Sequence, residues 1–271
     1  MRNKSWLALS SLTLSLFLNF GCQPENQFKS YNNKEISDFS PLNLSHFILD
    51  GEPVTTQDSF AGSIVGLINM ENGSLCTGTL LNRNHLLTAA HCLGNQITSM
   101  RVFSGLSRKS TTNIIDIESM VTPPQWEIRS KEEFDRGDLA VIKFSSGLPK
   151  SYKPVLLGNT DELQNGKEVL IAGYGRTDGV NKKGAGVLRK TFATIAETHY
   201  GETEVLFDQQ NGKGACHGDS GGPAFLSTPK GFIQWGVTSR EHLDPEKDCT
   251  HFTIYTKIEP YLDWINQNSL N

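Results

Sequence analysis

The chain has 271 residues, of which 20% are charged and 37% are hydrophobic, and its formal net charge is −4. This balance is ordinary for a globular protein and excludes a nucleic-acid-binding role that depends on a strongly basic surface. The length beyond the N-terminal region suits one large all-β domain or a domain of two lobes.

The N-terminus has the pattern of a secretory signal peptide. Arg2 and Lys4 form a short positive segment, and residues 6–20 are largely apolar. The apolar stretch is too short and too close to the start for a membrane span. We therefore expect residues 1–22 to be a signal peptide and the protein to be exported.

The end of the apolar stretch carries Cys22 directly after Gly21. This placement is typical of a bacterial lipoprotein signal, in which the cysteine is lipidated and becomes the mature N-terminus. Leu18 departs from the pattern, because it stands four residues before the cysteine and the preferred distance is three. The alternative is an ordinary signal peptide. A lipoprotein signal predicts a protein tethered by lipid at the bacterial cell envelope, and an ordinary signal peptide predicts a secreted protein.

The rest of the chain divides at Ile48. Residues 23–47 are rich in Asn, Ser, Gln and charge, so they bury little apolar surface and are expected to be a propeptide or tether. Beyond them, short runs of Val, Ile, Leu and Phe alternate with Gly, Asn and Asp clusters, which predicts a sandwich or barrel of short strands. The runs are 63–70, 74–81, 114–121, 139–144, 168–172, 187–195 and 232–238. Asn72-Gly73 predicts a hairpin, and the apolar pattern predicts a helix over 259–268.

Three segments carry residues of chemical interest. Residues 86–92 read Leu-Leu-Thr-Ala-Ala-His-Cys, residues 137–142 read Gly-Asp-Leu-Ala-Val-Ile, and residues 214–223 read Gly-Ala-Cys-His-Gly-Asp-Ser-Gly-Gly-Pro. A serine hydroxyl is a poor nucleophile alone and needs a base and a carboxylate that orients the base. With His, Asp and Ser in this chain order, the sequence resembles the chymotrypsin/trypsin family of serine endopeptidases.

The resemblance covers residues 48–271 and implies an all-β fold of two packed six-stranded antiparallel β-barrels with a C-terminal α-helix. It implies that Ser220 attacks the scissile carbonyl, that His91 takes its proton, and that Asp138 orients the imidazole. The backbone N–H groups of Gly218 and Ser220 would form the oxyanion hole. The expected protein is an endopeptidase that needs no cofactor and acts on proteins and peptides through an acyl-enzyme. The alternatives are a catalytically inactive binding module on this fold and an esterase.

Four cysteines remain in the exported domain, and this even number suggests two disulfide bridges. The resemblance implies that Cys76 pairs with Cys92 beside the base, and that Cys216 pairs with Cys249 beside the serine loop. Each bridge would stabilise the fold by ~2–4 kcal/mol. The chain lacks the cysteines for other bridges that many animal relatives carry, which fits a bacterial-type member of the family.

The resemblance also implies activation by cleavage. In the family, a new N-terminal ammonium inserts beside the aspartate that precedes the serine; here these residues are Ile48 and Asp219. A buried ammonium–carboxylate pair is costly unless its geometry is good, which suits it to act as a switch. Phe47 stands where many zymogens carry Arg or Lys, so trypsin-like self-activation is not expected. The alternative is that no cleavage occurs and another group serves Asp219.

The resemblance determines the residues of the specificity pocket less closely than those of the triad. Gly214 stands at the pocket floor, where trypsin-like members carry Asp, so a strict preference for Lys or Arg is not expected. Arg240-Glu241 replaces the usual Trp-Gly, and Thr253 stands where glycine is common; the added bulk favours small or medium uncharged side chains. The alternatives are that Glu241 faces the pocket and attracts a cation, or lies on a solvated loop. The full set of expected lining residues is Gly214, Ala215, His217, Ser239, Glu241 and Thr253.

No metal site is expected. The remaining histidines share no metal-ligand spacing; they are His46, His85, His199, His242 and His251. Residues 101–112, where some relatives bind calcium, offer basic and hydroxyl side chains. We expect a monomer.

Overall fold

The computed structural model of the protein describes residues 48–93, 97–111 and 113–270. The predicted signal peptide, the predicted lipidation residue Cys22, the predicted propeptide and Phe47 lie outside the described residues. The boundaries after residues 22 and 47 therefore stay predictions. Within the described part of the chain, no helix has the length and apolar composition needed to cross a membrane.

The first half of the described chain forms a closed barrel of antiparallel strands. After a short strand, β1 (Glu52–Pro53), the barrel strands are β2 (Ile64–Asn69), β3 (Leu75–Leu80), β4 (His85–Thr88), β5 (Met100–Phe103), β6 (Ile114–Val121) and β7 (Ala140–Phe144). They follow the order β2-β3-β4-β7-β6-β5, and β5 pairs with β2 to close the ring. Apolar side chains fill the interior, because alternate residues of each strand point inward. They include Leu67, Leu86, Val102, Ile142 and Phe144.

The second half forms another ring. Its strands are β8 (Leu156–Leu157), β9 (Glu168–Gly173), β10 (Arg189–Glu197), β11 (Glu204–Asp208), β12 (Pro223–Thr228), β13 (Gly231–His242) and β14 (Phe252–Lys257). Six of them close in the order β10-β11-β14-β13-β12-β9, while β1 adds to β10 and β8 adds to β13. Aromatic rings fill the centre: Phe207 lies 6.0 Å from Trp235 and 4.4 Å from Tyr255, measured between ring centroids.

Two α-helices are present in the described residues, α1 (Pro124–Arg129) and α2 (Leu262–Ser269). α2 follows a 3-10 turn over Glu259–Tyr261 and buries Ile265 in one cluster with Leu87 and Val141 of the first barrel. The predicted C-terminal helix is thus present, with its first turn wound as a 3-10 helix. The apolar pattern does not predict α1, because a helix of six residues has too few turns to show helical periodicity.

The predicted fold class, two packed six-stranded antiparallel β-barrels with a C-terminal α-helix, is confirmed. The two barrels share one apolar cluster that includes Ile64 of the first and Phe225 of the second. The predicted hairpin at residues 72 and 73 joins β2 to β3, and Gly73 has a φ of 73°, which glycine adopts without strain. This packing leaves a cleft between the barrels, and all three motif segments reach it.

Candidate active site

A cavity of about 210 Å³ lies in the cleft. The first barrel and the loop after β6 contribute His91, Trp126, Arg136 and Asp138 to its lining. The second barrel contributes Ala215, Cys216, His217, Ser220, Thr238, Ser239, Arg240, Glu241 and Thr253. The predicted base, carboxylate and nucleophile therefore line one cavity.

Strand pairing brings His91 and Asp138 together. β4 runs antiparallel to β7 with Thr88 opposite Ala140, so the residues just after β4 meet those just before β7. His91 lies on a single 3-10 turn after β4. Its Nδ1 lies 2.7 Å from Asp138 Oδ2, and its backbone N–H donates to Asp138 Oδ1 at 3.0 Å. The hydroxyl of Ser239 donates to the same Oδ2 at 2.6 Å.

These contacts shift the pKa values of both Asp138 and His91. Burial favours the neutral carboxyl of Asp138, but the charge of His91 and the hydrogen bonds from His91 and Ser239 outweigh it and lower the Asp138 pKa. Burial also opposes protonation of His91, but the charge and hydrogen bond of Asp138 raise the His91 pKa overall, against the charges of Arg240 and Arg136. The pair therefore favours a charged carboxylate beside an imidazole that readily accepts a proton.

Ser220 lies on the turn before β12. Its carbonyl accepts a 2.8 Å hydrogen bond from the Thr77 N–H, which ties the turn to the first barrel. The N–H groups of Gly218 and Ser220 donate to no other described residue, so both stay open to a ligand. No hydrogen bond joins Ser220 Oγ to His91 Nε2 among the described residues; in unliganded enzymes this contact is often long.

The Gly218 position requires glycine. Its φ is 106°, and a Cβ there would lie 2.9 Å from Gly175 Cα. The peptide that follows is held by a residue that the motifs do not reveal: Thr77 donates from Oγ1 to the Gly218 carbonyl at 2.9 Å and accepts from the Tyr174 N–H at 3.1 Å. Thr77 is fully buried. A lone threonine on a strand gives no sequence signal for this contact.

Asp219 is buried in the interior beside this turn, with 2% of its surface exposed. Its carboxylate accepts hydrogen bonds from the N–H groups of Gly175, at 2.7 Å, and Cys216, at 2.9 Å. Burial raises the pKa of Asp219 to about 7, although both hydrogen bonds and the charge of Arg189 act to lower it. Within the described part of the chain, these partners therefore stabilise the charged carboxylate by less than burial destabilises it.

The predicted activation residue Ile48 is also buried, with 1% of its surface exposed. The next residue, Leu49, packs against the disulfide of Cys216 and Cys249. Among the described residues, no hydrogen bond or ion pair joins Ile48 to Asp219. Phe47 precedes Ile48 in the uncleaved chain, so the Ile48 nitrogen belongs to a peptide bond and carries no ammonium charge.

Five of the six predicted pocket residues line the cavity, and Gly214 does not. Gly214 is buried against Gln209, whose side chain would lie 2.2 Å from an added Cβ. Gln209 Nε2 donates to the carbonyls of Ala215 and Cys249, at 3.1 and 3.0 Å, and Oε1 accepts from the Ala215 N–H at 2.6 Å. Gln209 thus joins Ala215, which lines the cavity, to Cys249, a contact that the sequence did not predict.

Glu241 faces the cavity and does not lie on a solvated loop. Its Oε1 lies 3.2 Å from His217 Nε2 and 3.3 Å from Cys249 Sγ, and its side chain is 21% exposed. Burial raises the pKa of Glu241, and the charge of His217 opposes that rise. A carboxylate and an imidazole therefore meet across the mouth of the pocket.

Arg240 forms a buried ion pair. Arg240 donates from both Nη atoms to Glu204, at 2.7 and 2.8 Å, and Glu204 is fully buried. This bidentate geometry fixes the Arg240 side chain beside Ser239. Neither the pairing nor the role of Glu204 was predicted, because the two residues lie far apart in sequence and meet only through β11, β14 and β13.

Both predicted disulfides are present. Cys76 is bonded to Cys92 with a Cα–Cα distance of 6.2 Å, and Cys216 is bonded to Cys249 with a distance of 5.3 Å. The prediction of no metal site stays a prediction.

The chain is similar in sequence to known proteins. Residues 48–265 match the family model described as Trypsin. Chymotrypsin-like elastase family member 1 from Bos taurus is 30% identical over 209 residues, which cover 70% of this chain and 77% of that protein. Chymotrypsin-C from Bos taurus is 28% identical over 214 residues, with 71% and 77% covered. Venom serine protease 34 from Apis mellifera is 27% identical over 220 residues; the match spans 72% of this chain and about half, 52%, of the venom protein.

Proposed function

The chain belongs to the trypsin family of serine proteases, and we propose that it is an exported endopeptidase that hydrolyses proteins and peptides through an acyl-enzyme on Ser220. The observation that carries the proposal is the 2.7 Å contact between His91 Nδ1 and the buried Asp138 carboxylate, in the cavity that Ser220 also lines.

The base acts through a fixed tautomer. Because His91 Nδ1 donates its proton to Asp138, Nε2 is left as an acceptor on the side of the cavity. It takes the Ser220 proton as Oγ attacks the scissile carbonyl, and it then gives this proton to the leaving amine. A water molecule then attacks the acyl-enzyme with His91 again as the base, which releases the acid and restores Ser220. Asp138 stabilises the imidazolium formed in each step.

The developing oxyanion is bound by the two open N–H groups, those of Gly218 and Ser220. Such donors contribute most when they are fixed before the reaction, because no reorganisation is then required in the transition state. The hydrogen bonds from Thr77 to both sides of this turn support that requirement.

The protein is made as a zymogen in this proposal. Cleavage after Phe47 converts the Ile48 nitrogen into an ammonium, which pairs with the Asp219 carboxylate and lowers its pKa. The raised pKa of Asp219 in the uncleaved chain, caused by burial, supports this step, because it leaves a site where a cation gains most. The contact of Leu49 with the Cys216–Cys249 bridge keeps the new terminus near that site.

The pocket favours small or medium uncharged side chains at P1, the residue before the scissile bond. Thr253 and Glu241 narrow the pocket, and the pairing of Glu241 with His217 uses the carboxylate that would otherwise attract a substrate cation.

The two disulfides agree with export into an oxidising compartment. The three relatives named above are animal proteins, so they do not support the predicted bacterial-type member. The lipid on Cys22 and the monomeric state remain predictions that these relatives do not support.

Trapping of the acyl-enzyme tests the proposal. Acid quenching during turnover of a peptide with alanine, valine or leucine at P1 should yield an acylated fragment that contains Ser220, detected by mass spectrometry. The matched control, Ser220→Ala, should yield neither product nor adduct. Turnover of esters with no peptide cleaved would favour the esterase. Absence of any adduct with peptides or esters would favour the inactive binding module.

A further inference from the structure

The cleft holds a guanidinium group that forms no ion pair with a carboxylate of the described residues. Two guanidinium groups, those of Arg136 and Arg240, line the same cavity as His91. Arg240 is paired with the buried carboxylate of Glu204 through two hydrogen bonds. The guanidinium of Arg136 has no carboxylate oxygen within 4.0 Å among residues 48–93, 97–111 and 113–270.

Arg136 is nevertheless held in place. Its Nε donates to the Glu132 carbonyl at 2.5 Å, and its backbone N–H donates to Glu204 at 3.3 Å. Trp126 of α1 lines the cavity beside it. A positioned, partly buried guanidinium with unused donors is suited to bind a carboxylate in a bidentate manner.

The cavity places this cation on one side of the reacting serine. Arg136 lines the same cavity as the residues of the specificity pocket, which holds the P1 side chain in the proposed function. A second groove, lined by Cys76, Cys92 and Arg176, meets this cavity at His91 and Ser220 and does not include Arg136. A substrate segment that passes Arg136 is therefore the one that precedes P1.

We propose that Arg136 forms a subsite for an acidic substrate side chain at one of the positions P2 to P4. The subsite rests on the proposed function, because it is defined by a peptide bound for cleavage at Ser220. Its consequence is a preference for glutamate or aspartate ahead of a small P1 residue.

Matched peptide amides test this subsite. They carry Glu or Gln at P2, P3 or P4 and share one P1 residue that the wild-type enzyme accepts. At one position we expect the Glu peptide to have a kcat/KM higher by about fivefold to tenfold, mainly through KM, since a partly exposed charge-assisted contact is of this strength. Arg136→Gln should abolish the ratio, Arg136→Lys should retain part of it, and added salt should reduce it.

Arg129→Gln provides the control, because it removes the same charge from an exposed residue of α1 that does not line the cavity. It should leave the Glu-to-Gln ratio intact. Equal rates at all three positions, or a preference that persists in Arg136→Gln, would overturn the subsite. Failure of the wild-type enzyme to cleave any of the peptides would overturn the proposed function, and the subsite with it.

Discussion

Two buried aspartates, Asp138 and Asp219, differ in what surrounds them. Each has 2% of its surface exposed. Asp138 accepts three hydrogen bonds from His91 and Ser239, which overcome burial and lower its pKa. Asp219 accepts two backbone N–H groups, and burial raises its pKa to about 7. At Asp138 the hydrogen bonds and the charge of His91 outweigh burial, whereas at Asp219 burial outweighs the two hydrogen bonds and the charge of Arg189.

The largest expected effect comes from removing the charge of Asp138. In Asp138→Asn the amide has no carboxylate oxygen to fix the tautomer of His91, so we expect kcat to fall by about 10⁴-fold. Steady-state hydrolysis of a peptide amide measures it. The fold should persist, which circular dichroism checks. A loss of less than tenfold would show that another group orients the base.

The second prediction concerns the stability of the uncleaved chain. Because the folded pKa of Asp219 lies above its unfolded value, the folded state binds the extra proton and stability falls as pH rises between the two values. From about pH 5 to about pH 7.5 the contribution of Asp219 to the free energy of unfolding should fall by ~2–3 kcal/mol. Urea unfolding of the uncleaved protein measures it.

Asp219→Asn is the matched variant, because the amide does not titrate. The difference in pH dependence between the variant and the wild-type chain isolates Asp219 from the other carboxyl groups. An identical pH dependence in both would mean that Asp219 is already paired in the uncleaved chain.

The third prediction concerns the turn beside Asp219. Thr77→Val keeps the shape of the side chain but removes the hydroxyl that holds the Gly218 carbonyl. We expect kcat to fall by about 10-fold to 100-fold with little change in KM, since the loss acts on transition-state donors. Thr77→Ser should restore most of the activity. Equal effects of Val and Ser would instead indicate a packing role.

The smallest effect should appear in the pH profile. Activity requires neutral His91, so kcat/KM rises as pH passes through its pKa. Since Asp138 raises that pKa against the effect of burial, the midpoint should lie above the ordinary imidazole value of 6.5. Ser239→Ala removes one hydrogen bond from Asp138, makes the carboxylate more basic and should move the midpoint further upward by a fraction of a unit. A downward shift would contradict this account.

The sequence predicted the parts of the molecule that local patterns determine. Alternating apolar runs revealed most barrel strands, and three short motifs revealed His91, Asp138 and Ser220. Seven strands of the described residues lie outside the predicted runs. β1 and β8 have two residues each, β12 begins with a proline, and β4, β5, β11 and β14 have four to six residues. The pairing of the cysteines followed from the resemblance to the family.

Contacts between distant segments could not be predicted in this way. Thr77 meets Gly218 across 141 residues, and Arg240 meets Glu204 across 36. Gln209 packs against Gly214, the residue that the resemblance placed at the pocket floor. Each of these contacts depends on strand register between elements, and a single sequence carries no local signal for register.

The most direct test is active-site labelling of two forms of one chain. A fluorophosphonate would be applied to the uncleaved protein and to protein cleaved between Phe47 and Ile48, with Ser220→Ala as the control for each. We predict fast labelling of Ser220 in the form that begins at Ile48, and slow labelling of the uncleaved form. Labelling of both forms at the same rate would contradict the role of Asp219 as a switch. If neither form is labelled, Ser220 is not an active nucleophile and the proposed function is wrong.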